Sequence, residues 1–315
     1  MKGIELAKAY YEQFGKPMLE EQFAHLLPYL AVGIIGSGSE CFGFDDDVSA
    51  DHDFEPGFCI FLPGEDVVDR KQAFALERAY AKLPKEFMGY RRAMLSPVGG
   101  ARHGVIRTAQ FLAEKLGTAQ STLSAQDFLR IPEQSLAEIT NGEIFFDNYG
   151  EITAVRESLA YYPEEIRRKK LAGHLLLMGQ AGQYNYMRCL KHGEEAAAQL
   201  AVFAFVKSAM QVIFLLNRRY EPYYKWSFRA LRALPLLSLE AELFEYLLTT
   251  PNSGEIAAQK YDVIEGICAD VIEVLIERGL SKAVCGDLEK HAYSVNDGIE
   301  QSNLRNMSIF AGTQE

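Results

Sequence analysis

The chain has 315 residues, 48% of them apolar and 24% charged, with a formal net charge of -11. That length suits one large or two medium domains with room for a core, and the composition is that of an ordinary soluble globular protein. The acidic balance excludes a protein that grips long nucleic acids through their phosphates, because that mode needs excess Lys and Arg, but it leaves room for a nucleotide or a short RNA end in a locally basic pocket.

In chain order, apolar periodicity predicts helices over residues 3–14 and 18–27, separated by Gly15 and Pro17. Strands are expected over 31–35 and 54–62, the second closed by Pro63-Gly64. A helix follows over 66–83, ended by Pro84; a strand over 104–108 runs into a helix that stops at Gly117. Short helices over 125–130 and 133–140 flank Pro132, and Asn141-Gly142 turns the chain into an edge strand over 143–147. Near residue 155 the pattern changes. Beyond it, apolar residues recur at three- and four-residue spacing, predicting long helices over 164–178, 183–192, 195–219, 224–233, 239–248 and 253–278. The expected fold class is α+β, with residues 1–155 carrying a mixed sheet and 156–315 a helical bundle.

Five scattered cysteines without a C-x-x-C pair favour free thiols in a reducing cytoplasm over disulfides or a zinc site. The N-terminal MKGIELAKAYYEQFG lacks the apolar centre of a signal peptide, and the most apolar stretch, residues 200–216, is interrupted by Lys207 and Gln211, so no membrane span is expected.

Residues 36–53 concentrate the chemistry. The apolar run 30–35 feeds into Gly36-Ser37-Gly38-Ser39, whose backbone N–H groups and hydroxyls suit phosphate oxygens. A helix starting after Gly38 would add its N-terminal amides. No G-x-x-x-x-G-K is present, so this is not a Walker loop. Asp45-Asp46-Asp47 reads as a solvated acidic loop. Asp51 and Asp53, two apart ahead of an apolar run, face the same side of a strand and can hold one Mg²⁺ together, with His52 turned to the other face.

Gly36-Ser37, a glycine soon after, Ser49 and Asp51-x-Asp53 resemble the signature of the DNA polymerase beta-like nucleotidyltransferase superfamily. Asn141 to Asp147, then Gly150, Arg156 and Tyr161-Tyr162-Pro163, look like a largely uncharacterised bacterial branch with a C-terminal helical domain. The resemblance implies a Mg²⁺-dependent, two-metal transfer of a nucleoside monophosphate, AMP from ATP foremost, to a hydroxyl of a small molecule or macromolecule. It implies Asp51 and Asp53 as catalytic metal ligands and Gly36 with Ser37 as the cradle for the nucleoside triphosphate; Ser39 adds a hydroxyl to that cradle, and the active site is expected in the cleft between the domains. The family's third carboxylate is missing from strand 104–108, which offers only Arg107. Glu143 and Asp147, four apart on one strand and so on one face, are the candidates. If neither serves, the alternative is a nucleotide-binding or regulatory protein of the same fold, and a protein or RNA partner is a further possibility.

The remaining signals have plainer readings. His103 reads as structural, and Arg188 with His192 as a chance pair on an exposed helix. Arg167-Arg168-Lys169-Lys170 reads as a solvated helix face. Tyr223-Tyr224-Lys225-Trp226 resembles helical segments that close over nucleotide in antibiotic nucleotidyltransferases, with Lys225 on the triphosphate; aromatic packing with Lys225 reaching solvent is the competing reading. Phe203, Phe205, Val206, Met210, Ile213 and Phe214 are expected in the core.

Overall fold

Residues 3–22 form one continuous helical stretch, not two helices broken at Gly15 and Pro17. Helix α1 (Gly3–Tyr10) passes through a π-helical turn (Tyr11–Gly15) into α2 (Lys16–Gln22). The wide turn lets the Lys16 N–H reach the Tyr11 carbonyl, and Pro17, which has no N–H to donate, falls in the first turn of α2, where it is tolerated. Gly15 serves packing: a Cβ there would lie 2.3 Å from the Phe58 ring. The computed structural model describes residues 1–46, 55–92 and 103–313, and they fall into two compact units, Met1–Leu123 with Glu133–Ala160, and Ser124–Pro132 with Tyr161–Glu315.

The first unit contains β1 (Ala31–Ile34), β2 (Cys59–Leu62), α3 (Arg70–Ala81), a small hairpin of β3 (Glu86–Phe87) and β4 (Tyr90–Arg91), then β5 (Gly104–Arg107) and α4 (Thr108–Leu116). The chain leaves this unit for α5 (Ala125–Arg130) and returns with α6 (Glu133–Thr140), β6 (Glu143–Asp147) and α7 (Glu151–Ser158). The hairpin was not predicted. It turns on Met88 and Gly89, both at positive φ, a two-residue connection matched to strand twist. Asp69 caps α3 by accepting the Gln72 N–H at 2.8 Å, so that helix starts later than Asp66.

Four strands form a mixed sheet in the order β5-β2-β1-β6, with β1 antiparallel to both β2 and β6, and β2 parallel to β5. Val32, Ile60 and Leu62 meet Leu6, Tyr10, Tyr11 and Leu19 of the N-terminal helix and Leu76 and Tyr80 of α3. Tyr80 locks this layer: its hydroxyl donates to the Phe58 carbonyl at 2.8 Å and accepts the Phe58 N–H at 3.0 Å. On the opposite face Phe61 meets Phe111 of α4, ring centroids 5.5 Å apart. Within unit one, β6 is an edge strand, as expected.

The second unit is helical. Helix α8 (Glu164–Met178) runs through a π-helical segment (Gly179–Tyr186) into α9 (Met187–Lys191), followed by α10 (Glu195–Leu216), α11 (Tyr224–Leu231), α12 (Glu240–Thr249), α13 (Gly254–Glu277), α14 (Leu288–Asp297) and α15 (Ser302–Arg305). The architecture is α+β, with a small mixed sheet in the N-terminal half and helices in the C-terminal region. Among the described residues α10 alone is long and apolar enough to cross a membrane; 67% of its most apolar window is buried within the protein, as in a core helix.

Two expectations fail here. Phe203 is 58% exposed on α10, whereas Phe205, Val206, Met210, Ile213 and Phe214 are buried. The basic run is not a solvated face either, since Arg167, Lys169 and Lys170 are buried. Arg167 pairs with Glu164 and donates to the Leu215 carbonyl at 3.3 Å. Lys169 Nζ donates to Asn296 Oδ1, Arg305 O and Met307 O at 2.8 to 3.2 Å, and Lys170 Nζ to Gly312 O at 3.0 Å. The C-terminal segment, whose carbonyls need donors, is bound by these cations, which in turn need a polar surround to be buried.

Candidate functional site

The strand directions gather one end of the sheet. The C-terminal end of β1 lies beside the N-terminal ends of β2 and β6, and β5, parallel to β2, starts there too. The loop 36–44 leaves β1 at this end. Gly36 takes φ +128°, a conformation other residues rarely adopt, and Gly43 closes the loop in the left-handed region at φ +69°. Between them Ser39 starts a single 3-10 turn, Glu40–Phe42, and this short turn stands where a helix would have added its N-terminal amides. Gly36 and Ser39 are buried and Ser37 is exposed. Among the described residues the backbone N–H groups of Ser37, Gly38 and Ser39 donate to no protein group.

The loop is pinned at both ends by consecutive residues. Gly36 N–H donates to Asn141 Oδ1 at 3.0 Å, and Asn141 Nδ2 donates to the Gly36 carbonyl at 2.7 Å. Gly142 N–H donates to the Cys41 carbonyl at 2.8 Å. A Cβ on Gly142 would lie 2.0 Å from the Ile34 carbonyl, so only glycine permits this approach. Arg156 in turn donates to the carbonyls of Ile139, Thr140 and Asn141 at 2.6 to 3.2 Å, finishing the C-terminus of α6. Burial lowers the pKa of its guanidinium from the ordinary arginine value. Asn141-Gly142 is thus the support of the Gly-Ser loop as well as a turn.

The sequence candidates distribute unevenly. Asp51 and Asp53, with Asp47, Ser49 and His52, lie outside the described residues. Glu143 stands at the loop end of the sheet but pairs with Lys8, whose Nζ lies 2.5 Å from Glu143 Oε1 and whose pKa this hydrogen bond raises. Asp147 is at the other end of β6, opposite Ala31, where its two carboxylate oxygens accept the Gly150 and Thr153 amides at 2.7 and 2.9 Å at the start of α7. The two acids do not share a face. Val32 pairs with Phe146 but Gly33 with Ile144, so Phe145 is an extra residue in β6 and the alternation reverses across it. Lys225 is exposed in the helical unit, its Nζ 4.9 Å from the Trp226 ring centroid; Tyr223 and Tyr224 are exposed, not core.

Glu40, Cys59, Asp45 and His103 complete this end, and of these Asp45 and His103 are read from the sequence but Glu40 is not. Glu40 is buried, and a Cβ on Gly38 would lie 2.0 Å from its Oε1, so its carboxylate folds over the loop. Burial, aided by Glu40, pushes the Cys59 thiol up to about 12, which leaves it un-ionised. Asp45 is buried rather than solvated: it accepts the Gly3 N–H at 2.9 Å and lies 3.5 Å from Lys2 Nζ, tying the loop's exit to the start of α1. His103 Nδ1 lies 3.1 Å from Glu55 Oε1 at the start of β5, and its buried Nε2 has no hydrogen-bond partner among the described residues. Among the described residues no three His, Cys, Asp or Glu side chains gather as a metal site. A single acid in a loop carries no periodic signal, so nothing in the sequence marks Glu40 beside the Gly-Ser segment.

No curated protein matches the chain. A family model described as a domain of unknown function, DUF4037, matches residues 128–227. That stretch holds Asn141, Gly142 and Arg156, the support of the loop, together with Tyr161-Tyr162-Pro163, and it begins after the loop itself.

Proposed function

We propose that the protein is a nucleotidyltransferase that moves a nucleoside monophosphate, AMP from ATP foremost, to a hydroxyl of a small molecule or a macromolecule. The observation that carries the reading is the set of three successive amides, Ser37, Gly38 and Ser39, that have no acceptor among the described residues at the gathered end of the sheet. Adjacent unpaired amides on a glycine-bearing loop suit phosphate oxygens. In this reading the amides of Ser37, Gly38 and Ser39, with the two serine hydroxyls, hold the outer phosphates of the triphosphate, and Gly36, whose N–H is taken by Asn141, supplies the turn. Asp51 and Asp53 would hold Mg²⁺, whose charge would offset that of the triphosphate. The acceptor oxygen bonds to the α-phosphorus as its bond to pyrophosphate breaks, and the acceptor proton passes to a base. Glu40 is the described carboxylate that lies against the loop and is the candidate for the third acid. The free cysteines among the described residues suit a reducing cytoplasm.

The test is calorimetry of ATP binding with and without Mg²⁺, on the wild type and on Asp51→Asn/Asp53→Asn. Mg²⁺-dependent binding that the double substitution abolishes supports the assignment; unchanged affinity in the double variant refutes it.

The engagement of Glu143 by Lys8 and of Asp147 by α7 favours one second reading, a protein that binds nucleotide without transferring it. Pyrophosphate release from ATP in the presence of a hydroxyl acceptor separates the two. Capture of one specific protein or RNA would assign the acceptor to a macromolecule.

A further inference from the structure

We propose that Asn141, itself held by Arg156, is the positioning residue that keeps the 36–39 loop in its phosphate-accepting conformation; this rests on the nucleotide reading above. The Gly36 peptide presents one donor and one acceptor to Asn141, and the carboxamide answers both, with Oδ1 3.0 Å from the Gly36 nitrogen and Nδ2 2.7 Å from its carbonyl. Aspartate has the shape but no donor, and serine has one oxygen on a shorter stem. The next residue supplies the second pin, Gly142 N–H to the Cys41 carbonyl. The span between the pins contains Ser37, Gly38 and Ser39, the residues whose amides have no acceptor among the described residues.

The brace has a rigid base. Arg156 takes the Asn141 carbonyl at 2.6 Å and those of the two residues before it, so the backbone that carries the carboxamide is fixed from behind. By occupying the Gly36 N–H, Asn141 keeps the loop from satisfying itself in another conformation. An anion then meets amides already in place and does not have to offset the ordering of a mobile loop. The ligand chemistry is a phosphate chain, met as a nucleoside triphosphate.

Isothermal calorimetry of Mg²⁺–ATP and of inorganic tripolyphosphate tests this on the wild type, Asn141→Asp and Leu76→Ala. Leu76 is a core residue of α3, and its truncation controls for lost stability. Asn141→Asp is expected to weaken both ligands by about tenfold or more, the loss of one to two hydrogen bonds' worth of preorganisation, while Leu76→Ala binds as the wild type does at a temperature where both variants are folded. Equal affinity in Asn141→Asp and wild type, or equal losses in Asn141→Asp and Leu76→Ala, overturns the inference. Should Asn141→Asp fail to fold, Arg156→Lys, which keeps the charge but not the three-carbonyl fork, is expected to weaken both ligands; unchanged binding overturns the brace. A wild type that binds neither ligand nor the other three common nucleoside triphosphates refutes the nucleotide reading instead, which is a separate result.

Discussion

Glu143 and Asp147, four residues apart on β6, leave the sheet on opposite faces and at opposite ends. Their partners on β1 are Ile34 and Ala31, an odd number of residues apart, because Phe145 bulges from the ladder. Phe145 and Phe146 consequently both reach Tyr11, with ring centroids at 5.6 and 6.0 Å. The bulge uses two consecutive aromatics to cover the N-terminal helix and sends Asp147 to the start of α7.

Asp147 therefore behaves as a helix cap in this structure. Asp147→Ala is expected to cost about 1 to 2 kcal/mol in urea unfolding, since two amides at the start of α7 lose their acceptor, and to leave Mg²⁺–ATP affinity at the wild-type value. A loss of affinity in a variant of near-normal stability would return Asp147 to the list of candidate catalytic acids.

Gly15→Ala sets local preference against packing. Alanine favours a helix interior over glycine by about 1 kcal/mol, yet its Cβ would meet the Phe58 ring at 2.3 Å and the Tyr11 ring at 2.9 Å. Overpacking of that kind costs about 1 to 3 kcal/mol. The expected outcome is a net loss of stability in thermal and chemical unfolding; a gain would mean that Phe58 moves aside freely.

Lys260 is fully buried in the helical unit and donates to Thr250 O, Asn252 Oδ1 and Gln199 Oε1 at 2.7 to 3.2 Å. Burial nevertheless pushes its ammonium down to about 8 from 10.5. Between those values the unfolded chain binds the proton that the folded chain has released, so stability rises with pH across this window and is flat below it. Below pH 8 both states are charged and the full cost of burial is present. Tyrosines titrate nearby, so the quantity to measure is the difference in unfolding free energy between wild type and Lys260→Met. That difference is expected to shift towards the wild type by about 1 to 3 kcal/mol from pH 7.5 to 10.5; a difference independent of pH would show that the three acceptors hold the lysine charged.

Where local chemistry governs, the chain was legible. Strand β5 running into α4 with its left-handed stop at Gly117, the short helices on either side of Pro132, and β6 after Asn141-Gly142 follow from periodicity and turn residues. Reading Gly15 as a breaker failed because a glycine that ends a helix and one that admits a neighbouring ring look alike in sequence. The charge run 167–170 failed for a related reason: a run of cations is solvated by default, and only the approach of carbonyls 127 to 142 residues away makes burial tolerable.

By itself the sequence determined the α+β class, the helical periods of the second half and the Gly-Ser loop, because glycine freedom and apolar spacing act within a few residues. Only the tertiary structure decided what the loop rests on. The carboxamide that holds Gly36 comes from 105 residues away, and the guanidinium behind it from α7, 15 residues further along the chain. Hydrogen bonds between distant segments leave no period in a sequence, so the brace appears only when the chain is folded.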